Sequence, residues 1–441
     1  MLVPWVSLAT SAVGLLLAAN VLRPARAPGW LSIISFFAGW LVGELALHAL
    51  VFQLVLAAVF VKLGALPHWQ GQVALAFTAL SCVLLAVAQT HASRASAAFD
   101  AALRETLGDE LDRPPSAEAR RWLEPSRGWS RVAFPFPVRH PGVERLHRIP
   151  FAEVDGVTLH LDVHRARLRE RPGPTIIYVH GGGWVIGHRD KQGLPLLKHL
   201  AARGWVGFSV DYRLSPRATF PDHLVDVKRA IAWVREHATG YGADPRFVVL
   251  AGNSAGAHLA ALAALTANDP AYQPGFERAD TSVDACVAFY GIHDLLDRYG
   301  HWPHDGMHKL LERQVMKTSR EAGREAYDAG SPVARVHAGA PPFLLVHGDR
   351  DTLAPVEESR RLHQALKRTS RAPAAYVEVP GAQHAFEVFP SVRTTHAIEG
   401  VTRFLTVIGE RRKARNGAKG LAAPVERAAV RDKPWTTRAQ R

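Results

Sequence analysis

The sequence predicts an α/β protein, a mostly parallel central sheet with a helical cap, preceded by an N-terminal transmembrane helical segment. Three observations carry this. The first 91 residues hold only four charged side chains within long apolar runs. From about residue 151, short β-branched runs alternate with helical patterns, the rhythm of a parallel sheet covered on both faces. One of those runs ends in G-x-S-x-G directly before an Ala/Leu-rich helical stretch,.

The four charges of the N-terminal segment are Arg23, Arg26, Glu44 and Lys62. Residues 3–22 and 71–90 are uncharged, and each is close to the ~20 residues a membrane helix needs. Residues 30–61 would extend about 48 Å as one helix, too long for a hydrocarbon core of ~30 Å. That run either tilts as one span or breaks near Gly43-Glu44 into two, so residues 1–91 are expected to make three spans, with four as the alternative. Arg23 and Arg26 make the first loop the most basic short one, which places it in the cytoplasm. Three spans then leave everything after His91 cytoplasmic. No basic residue precedes the first apolar run, against a cleavable signal peptide. Glu44 and His48 share a helix face, and they are expected to bond each other within the bundle or to lie near a broken helix end.

The formal charge of +13 does not imply nucleic acid as a partner, because it is uneven: residues 411–441 hold ten Lys/Arg against two acids. Residues 409–441 therefore read as a basic disordered tail, with anionic lipid headgroups as its one plausible contact. Only Cys82 and Cys286 are present, so no disulfide framework is expected. Residues 92–150 combine an amphipathic stretch near 95–111 with Pro114, Pro115, Pro125, Pro135, Pro137 and Pro141, which suggests a linker and cap. Residues 151–408 carry the expected catalytic domain. Its strands fall at 151–164 (a pair), 175–179, 206–210, 246–250, 343–346 and 375–379, and its helices at 222–237 and 258–266.

The chemistry sits at strand ends. In Gly252-Asn253-Ser254-Ala255-Gly256 the two glycines allow a sharp strand-to-helix turn that pushes the serine hydroxyl out, with the Ala255 amide and the helix N-terminus aimed at developing negative charge. After the strand at 175–179 stands His180-Gly181-Gly182-Gly183-Trp184. Its glycines let backbone N–H groups approach a substrate oxygen, and neither the P-loop nor the dinucleotide spacing is present. Two later strands run into Asp349-Arg350-Asp351 and Gln383-His384. The chain order Ser254, Asp351, His384 is that of an α/β-hydrolase triad.

With these motifs residues 150–408 resemble the hormone-sensitive-lipase-like esterases of the α/β-hydrolase fold, through HGGGW at 180–184, DYRLSP at 211–216, GNSAG at 252–256, HGDRDTL at 347–353 and the His384 loop. They also resemble isoprenylcysteine methylesterase-like proteins, which pair HGGGW and SAGAH with N-terminal spans. The resemblance implies Ser254 as nucleophile, His384 as general base and then acid, Asp351 as its orienter, and the amides of Gly182, Gly183 and Ala255 as oxyanion donors. Asp351 is preferred to Asp349 because it matches the family's G-x-x-D. Three positions depart from the family pattern: Asn253 for its usual Asp, Ala385 for its usual glycine, and Arg217 where an acid is common.

The implied activity is hydrolysis of a small-molecule or lipid carboxylic ester through an acyl-enzyme, with no cofactor and no metal. A catalytically silent ligand receptor or scaffold, and an acyltransferase, are the alternatives. His301, His304 and His308, with Asp305, have a spacing compatible with zinc, but the stretch 295–336 is expected instead to form part of the cap, where Trp302, Met307, Leu310 and Leu311 are candidates to line an acyl pocket. Cys286 is expected to be buried in a strand and chemically idle.

Overall fold

The computed structural model describes residues 2–124, 140–168 and 171–418. Four apolar helices open the chain: α1 (Leu2–Leu22), α2 (Gly29–Glu44), α3 (Ala46–Lys62) and α4 (Trp69–Ser93). Of these, α1 and α4 are each long and apolar enough to cross a membrane, and the pair α2 and α3 would be a third candidate span if counted as one. The apolar run at 30–61 breaks at Leu45, and its halves meet at 87°. The break falls one residue beyond Gly43-Glu44, and α3 turns back along α4 while α2 does not.

Helix α4 continues through Arg94, itself in helical conformation, into α5 (Ala95–Leu107). The stretch expected as linker and cap is therefore different in character. Ala95, Phe99, Leu103 and Leu107 recur every fourth residue and are buried, so α5 joins a helical layer against the sheet and does not form a lid. Pro125, Pro135 and Pro137 lie outside the described residues.

The sheet has eight strands: β1 (Val143–Val154), β2 (Val157–Ala166), β3 (Gly173–Val179), β4 (Val206–Val210), β5 (Ala243–Asn253), β6 (Ala285–Phe289), β7 (Phe343–Gly348) and β8 (Ala374–Val379). Their spatial order is β1-β2-β4-β3-β5-β6-β7-β8. The hairpin β1–β2 and the pair β2–β4 are antiparallel, and every later pair is parallel. Strands β3, β4, β6 and β7 are buried along their whole length, which explains why they read as continuous apolar runs without alternation.

On one face pack α7 (Asp222–His237) and α8 (Ala255–Leu265), following α6 (Leu194–Ala201) on the other. That second face also carries α5 and the C-terminal α10 (Val392–Ala418), while α9 (Glu357–Thr369) flanks β7 and β8. The ring of Phe99 fits against Gly400, where a Cβ would come within 2.1 Å of it. The basic stretch expected to begin a tail at 409 starts as helix: Arg411 pairs with Glu110, Arg412 with Asp284, and Lys413 with Glu118. Glu110 follows α5, Glu118 lies on the short helix Ala117–Trp122 and Asp284 directly precedes β6, so α10, which runs to Ala418, is tied to each of these segments. Residues 419–441 of the expected tail lie outside the described residues.

Candidate active site

The parallel register sets the site. Val179 at the end of β3 lies beside Gly252 at the end of β5, and Gly348 ends β7 beside Val379 of β8. Each motif thus emerges at one carboxyl edge, where ligands bind in open α/β sheets.

Ser254 occupies the junction of β5 and α8 with φ +53° and ψ −123°, a conformation costly for a residue with a Cβ and held by its surroundings. A Cβ on Gly252 would lie 2.4 Å from the Gly256 carbonyl oxygen, and one on Gly256 would lie 2.2 Å from that of Val179. Only glycine fits at either position. The Ser254 amide donates to the Phe289 carbonyl at 2.9 Å, which ties the turn to β6.

The structure brings Ser254, His384 and Asp351 together in one line. His384 Nε2 is 2.9 Å from Ser254 Oγ, and His384 Nδ1 is 2.6 Å from Asp351 Oδ2. The other carboxylate oxygen of Asp351 accepts from the amides of Leu353 and Ala354, each at 2.8 Å. Burial alone would raise this carboxyl, yet the interaction with the neighbouring His384 and hydrogen bonds from His347 and His384 outweigh it and hold Asp351 well below the usual carboxylate range,. Asp349 accepts instead from the Gly381 amide at 2.7 Å, so it shapes the turn after β8.

In the glycine loop the Gly181 amide is taken up by Asn253 Oδ1 at 2.9 Å and Gln192 Oε1 at 2.7 Å. Gly182 and Gly183 both have positive φ, +123° and +59°. A Cβ on Gly182 would lie 2.0 Å from the Ile186 carbonyl oxygen, and one on Gly183 would meet Leu310 Cδ2 at 3.4 Å. Tyr212 of DYRLSP donates its hydroxyl to the His180 carbonyl at 3.0 Å, while Asp211 takes Arg189 and Asp226 takes Arg213. The motif thus braces the loop from below. Trp184 Nε1 donates to His258 Nδ1 at 3.2 Å, and the other nitrogen of that ring reaches the Gly330 carbonyl at 2.7 Å. Burial lowers His258 to about 4, consistent with a neutral ring that bridges loop and cap.

Four contributions were not legible from motifs. Gln383 Oε1 accepts from the Thr352 amide at 2.8 Å and the His384 amide at 2.9 Å, which couples the loops that bear Asp351 and His384. Asn253, which departs from the family pattern, donates to Tyr290 Oη at 3.2 Å as well as accepting from Gly181. Tyr290 in turn donates to buried Glu387, and its ring lies 4.5 Å from that of His384. The fourth is the N-terminal segment. Trp40 Nε1 donates to the Ala385 carbonyl at 2.7 Å, Ser32 Oγ to that of Thr352 at 2.6 Å, and Arg26 to that of Asp349 at 2.9 Å. Glu44 accepts from Arg393 and from Ser391. It lies at the helix break as expected, but its partners, Ser391 and Arg393, belong to the α/β part of the chain.

The cap contains helices at Gly306–Leu310 and Arg324–Ala329. Trp302 and Leu311 are buried in the core on the α7–α8 side of the sheet, whereas Leu310 reaches the glycine loop. The zinc reading finds no support in placement: His308 faces Asp297, His301 accepts from Arg361, and His304 accepts from the Gly306 amide. Among the described residues no three His, Cys, Asp or Glu side chains gather as a metal site. Cys286 is buried in β6, and burial pushes its thiol far above the ordinary range.

Buried Glu358 anchors the cap, accepting from Trp302 Nε1 at 2.7 Å and from the amides of His293 and Asp294 at 2.6 and 2.8 Å. Burial raises its carboxyl from 4.5 to about 7 despite those donors. The folded value exceeds the unfolded one, so its contribution is complete below about pH 4.5 and is lost as pH rises through about 7,. Thermal melts should therefore show a loss of up to about 3 kcal/mol between pH 5 and 8, and Glu358→Gln should flatten that slope. Parallel slopes in the two proteins would refute this assignment.

A mostly parallel eight-stranded sheet with a serine on a strained turn at its centre is the architecture of an α/β-hydrolase. The family described as BD-FAE matches residues 161–366. The "Probable carboxylic ester hydrolase LipM" of Mycobacterium tuberculosis is 39% identical over 398 residues, covering 88% of this chain and 90% of that protein. The "Isoprenylcysteine alpha-carbonyl methylesterase ICME" of Arabidopsis thaliana is 28% identical over 235 residues, 51% of this chain and 53% of its own length. A solved "Truncated form of carbohydrate esterase from gut microbiota" superposes with a TM-score of 0.53 at 24% identity, over 60% of this chain and 96% of its own, and shows the shared fold. The chain belongs to the hormone-sensitive-lipase-like esterases of the α/β-hydrolase fold.

Proposed function

We propose that this protein is a membrane-anchored serine carboxylesterase that cleaves small-molecule or lipid carboxylic esters. The observation that carries the reading is the unbroken relay from Asp351 through His384 to the Ser254 hydroxyl, with both links at hydrogen-bond distance. Asp351 fixes the tautomer in which His384 Nε2 is free to accept. As Ser254 Oγ attacks the ester carbonyl, its proton passes to Nε2, and Asp351 stabilises the imidazolium without taking the proton. The carbonyl oxygen becomes an oxyanion opposite the amides of Gly182, Gly183 and Ala255. The Gly181 amide is already engaged, and removal of one such donor costs about 10²–10³ in turnover. His384 then returns the proton to the departing alcohol. Water repeats the sequence on the acyl-serine, releasing the acid and restoring the hydroxyl.

Membrane attachment rests on α1 and α4 and on the exposed apolar side chains along them. In the reading that fits the 87° break, α1, α3 and α4 cross while α2 stays on the catalytic side. The loop with Arg23 and Arg26 then lies on the same side as the catalytic domain, which it touches through Asp349, and the positive-inside rule makes that side the cytoplasm.

A membrane-impermeant fluorophosphonate tests both parts. Inverted vesicles should be labelled and right-side-out vesicles should not, with no labelling of Ser254→Ala in either. Absence of Ser254-dependent labelling would favour a silent receptor or scaffold, and labelling of right-side-out vesicles would reverse the orientation.

A further inference from the structure

Helix α2 has two unlike faces. Its inner face carries Ser32, Ser35, Phe36, Gly39 and Gly43, all buried, and it lies on the loops that bear Asp351 and His384. The edge of Phe36 meets the His384 ring at 6.0 Å, Phe36 stacks on Trp40 at 5.6 Å, and Trp40 stacks on Phe389 at 4.8 Å. The backbone of each catalytic loop is tied to this face, at Thr352 by Ser32 and at Ala385 by Trp40. Gly39 lets the helix approach α1, where Asn20 Nδ2 would lie 3.1 Å from a Cβ, and Gln383 packs beside the same position. The outer face is a continuous apolar stripe of Trp30, Ile33, Ile34, Phe37 and Leu41, each at helical spacing and each exposed, Phe37 at 59%.

A largely apolar helix with one uncovered apolar face belongs against lipid when its neighbours do. Here α2 is joined to α1 by a six-residue loop and to α3 at the single residue Leu45. Its 87° angle to α3 lays it across the direction of the spans. An apolar helix in that attitude sits in the interfacial plane of a bilayer, with one face in the acyl boundary.

We propose that α2 is part of the catalytic centre: an interfacial helix whose outer stripe rests in the bilayer, whose Trp40 positions the histidine loop, and whose Phe36 selects apolar esters that reach Ser254 from the lipid. This deepens the esterase reading and rests on it. The substrate class is an ester with a long acyl chain held in the membrane. The passage it would take lies between Phe36 and the cap, where Leu310 borders Gly183 and His304 touches the start of α2.

The test uses the full chain in phosphatidylcholine vesicles, with p-nitrophenyl acetate as a water-borne ester and p-nitrophenyl dodecanoate as a bilayer-borne one. Phe36→Ala and Phe36→Trp should each change the ratio of kcat/KM for dodecanoate over acetate by about tenfold or more. Trp40→Phe keeps the stacking and loses the indole donor, so it should lower kcat for both esters about tenfold with KM retained. A fluorophore on Ile34→Cys should be quenched by a nitroxide placed high on the lipid chain. A ratio within about twofold of wild type in both Phe36 variants, an unaltered kcat in Trp40→Phe, or an unquenched label would each overturn the proposal. If the wild type shows no Ser254-dependent labelling, the esterase reading fails, and the quenching measurement still decides where α2 lies.

Discussion

Replacing His384 with alanine should lower kcat/KM for a soluble short-chain ester by about 10⁴–10⁶-fold, because among the described residues no other side chain lies within hydrogen-bond distance of Ser254 Oγ to accept its proton,. Asp351→Asn is the subtler variant. The carboxamide keeps the packing but presents a donor to Nδ1, which favours the wrong tautomer and costs about 10⁴. Both variants should melt within a few degrees of wild type, so the loss is read as chemistry by single-turnover kinetics. A His384→Ala enzyme retaining more than about a tenth of the activity would show that another base serves Ser254.

Arg393→Met destabilises the protein by about 3–5 kcal/mol, because it strands Glu44 in the interior. Both side chains of this pair are 1% exposed, and among the described residues Ser391 would remain to satisfy the carboxylate. A buried ion pair replaced as a unit by apolar residues of similar volume is often neutral or better. The double variant Glu44→Leu/Arg393→Met should therefore recover most of the loss. Thermal unfolding in detergent measures both, and a single variant within about 1 kcal/mol of wild type would mean that water reaches the site.

Strands β3, β4 and β7 and helix α7 were legible because burial on both faces of a parallel strand leaves a continuous apolar run, and because the apolar stripe of a helix on a sheet repeats at 3.6 residues. The turn at Ser254 was legible because steric exclusion leaves only glycine at 252 and 256. The glycine loop was legible for a similar reason at Gly182. What the sequence did not disclose depends on contacts between distant segments. Nothing in the letters around Gln383 shows that its amide oxygen joins two loops, since that requires β7 and β8 to end side by side. The role of α5 was misjudged because its amphipathic pattern is equally consistent with a lid, and only Gly400, 301 residues from Phe99, reveals the surface it packs on. Glu44 was noticed as an anomaly in an apolar run, but its partner lies 349 residues away.

Those separations govern when the protein can begin to work. The helices synthesised first are complete long before the ribosome has made β8, and the segment after that final strand brings both His384 and Arg393 to them. Because contacts this distant along a chain form slowly and late, an incomplete nascent polypeptide holds Ser254 without its His384 partner and α2 without the loops it packs on. On the proposed mechanism, hydrolytic competence arises only once residue 384 has been made, and premature termination before it should yield an inert product.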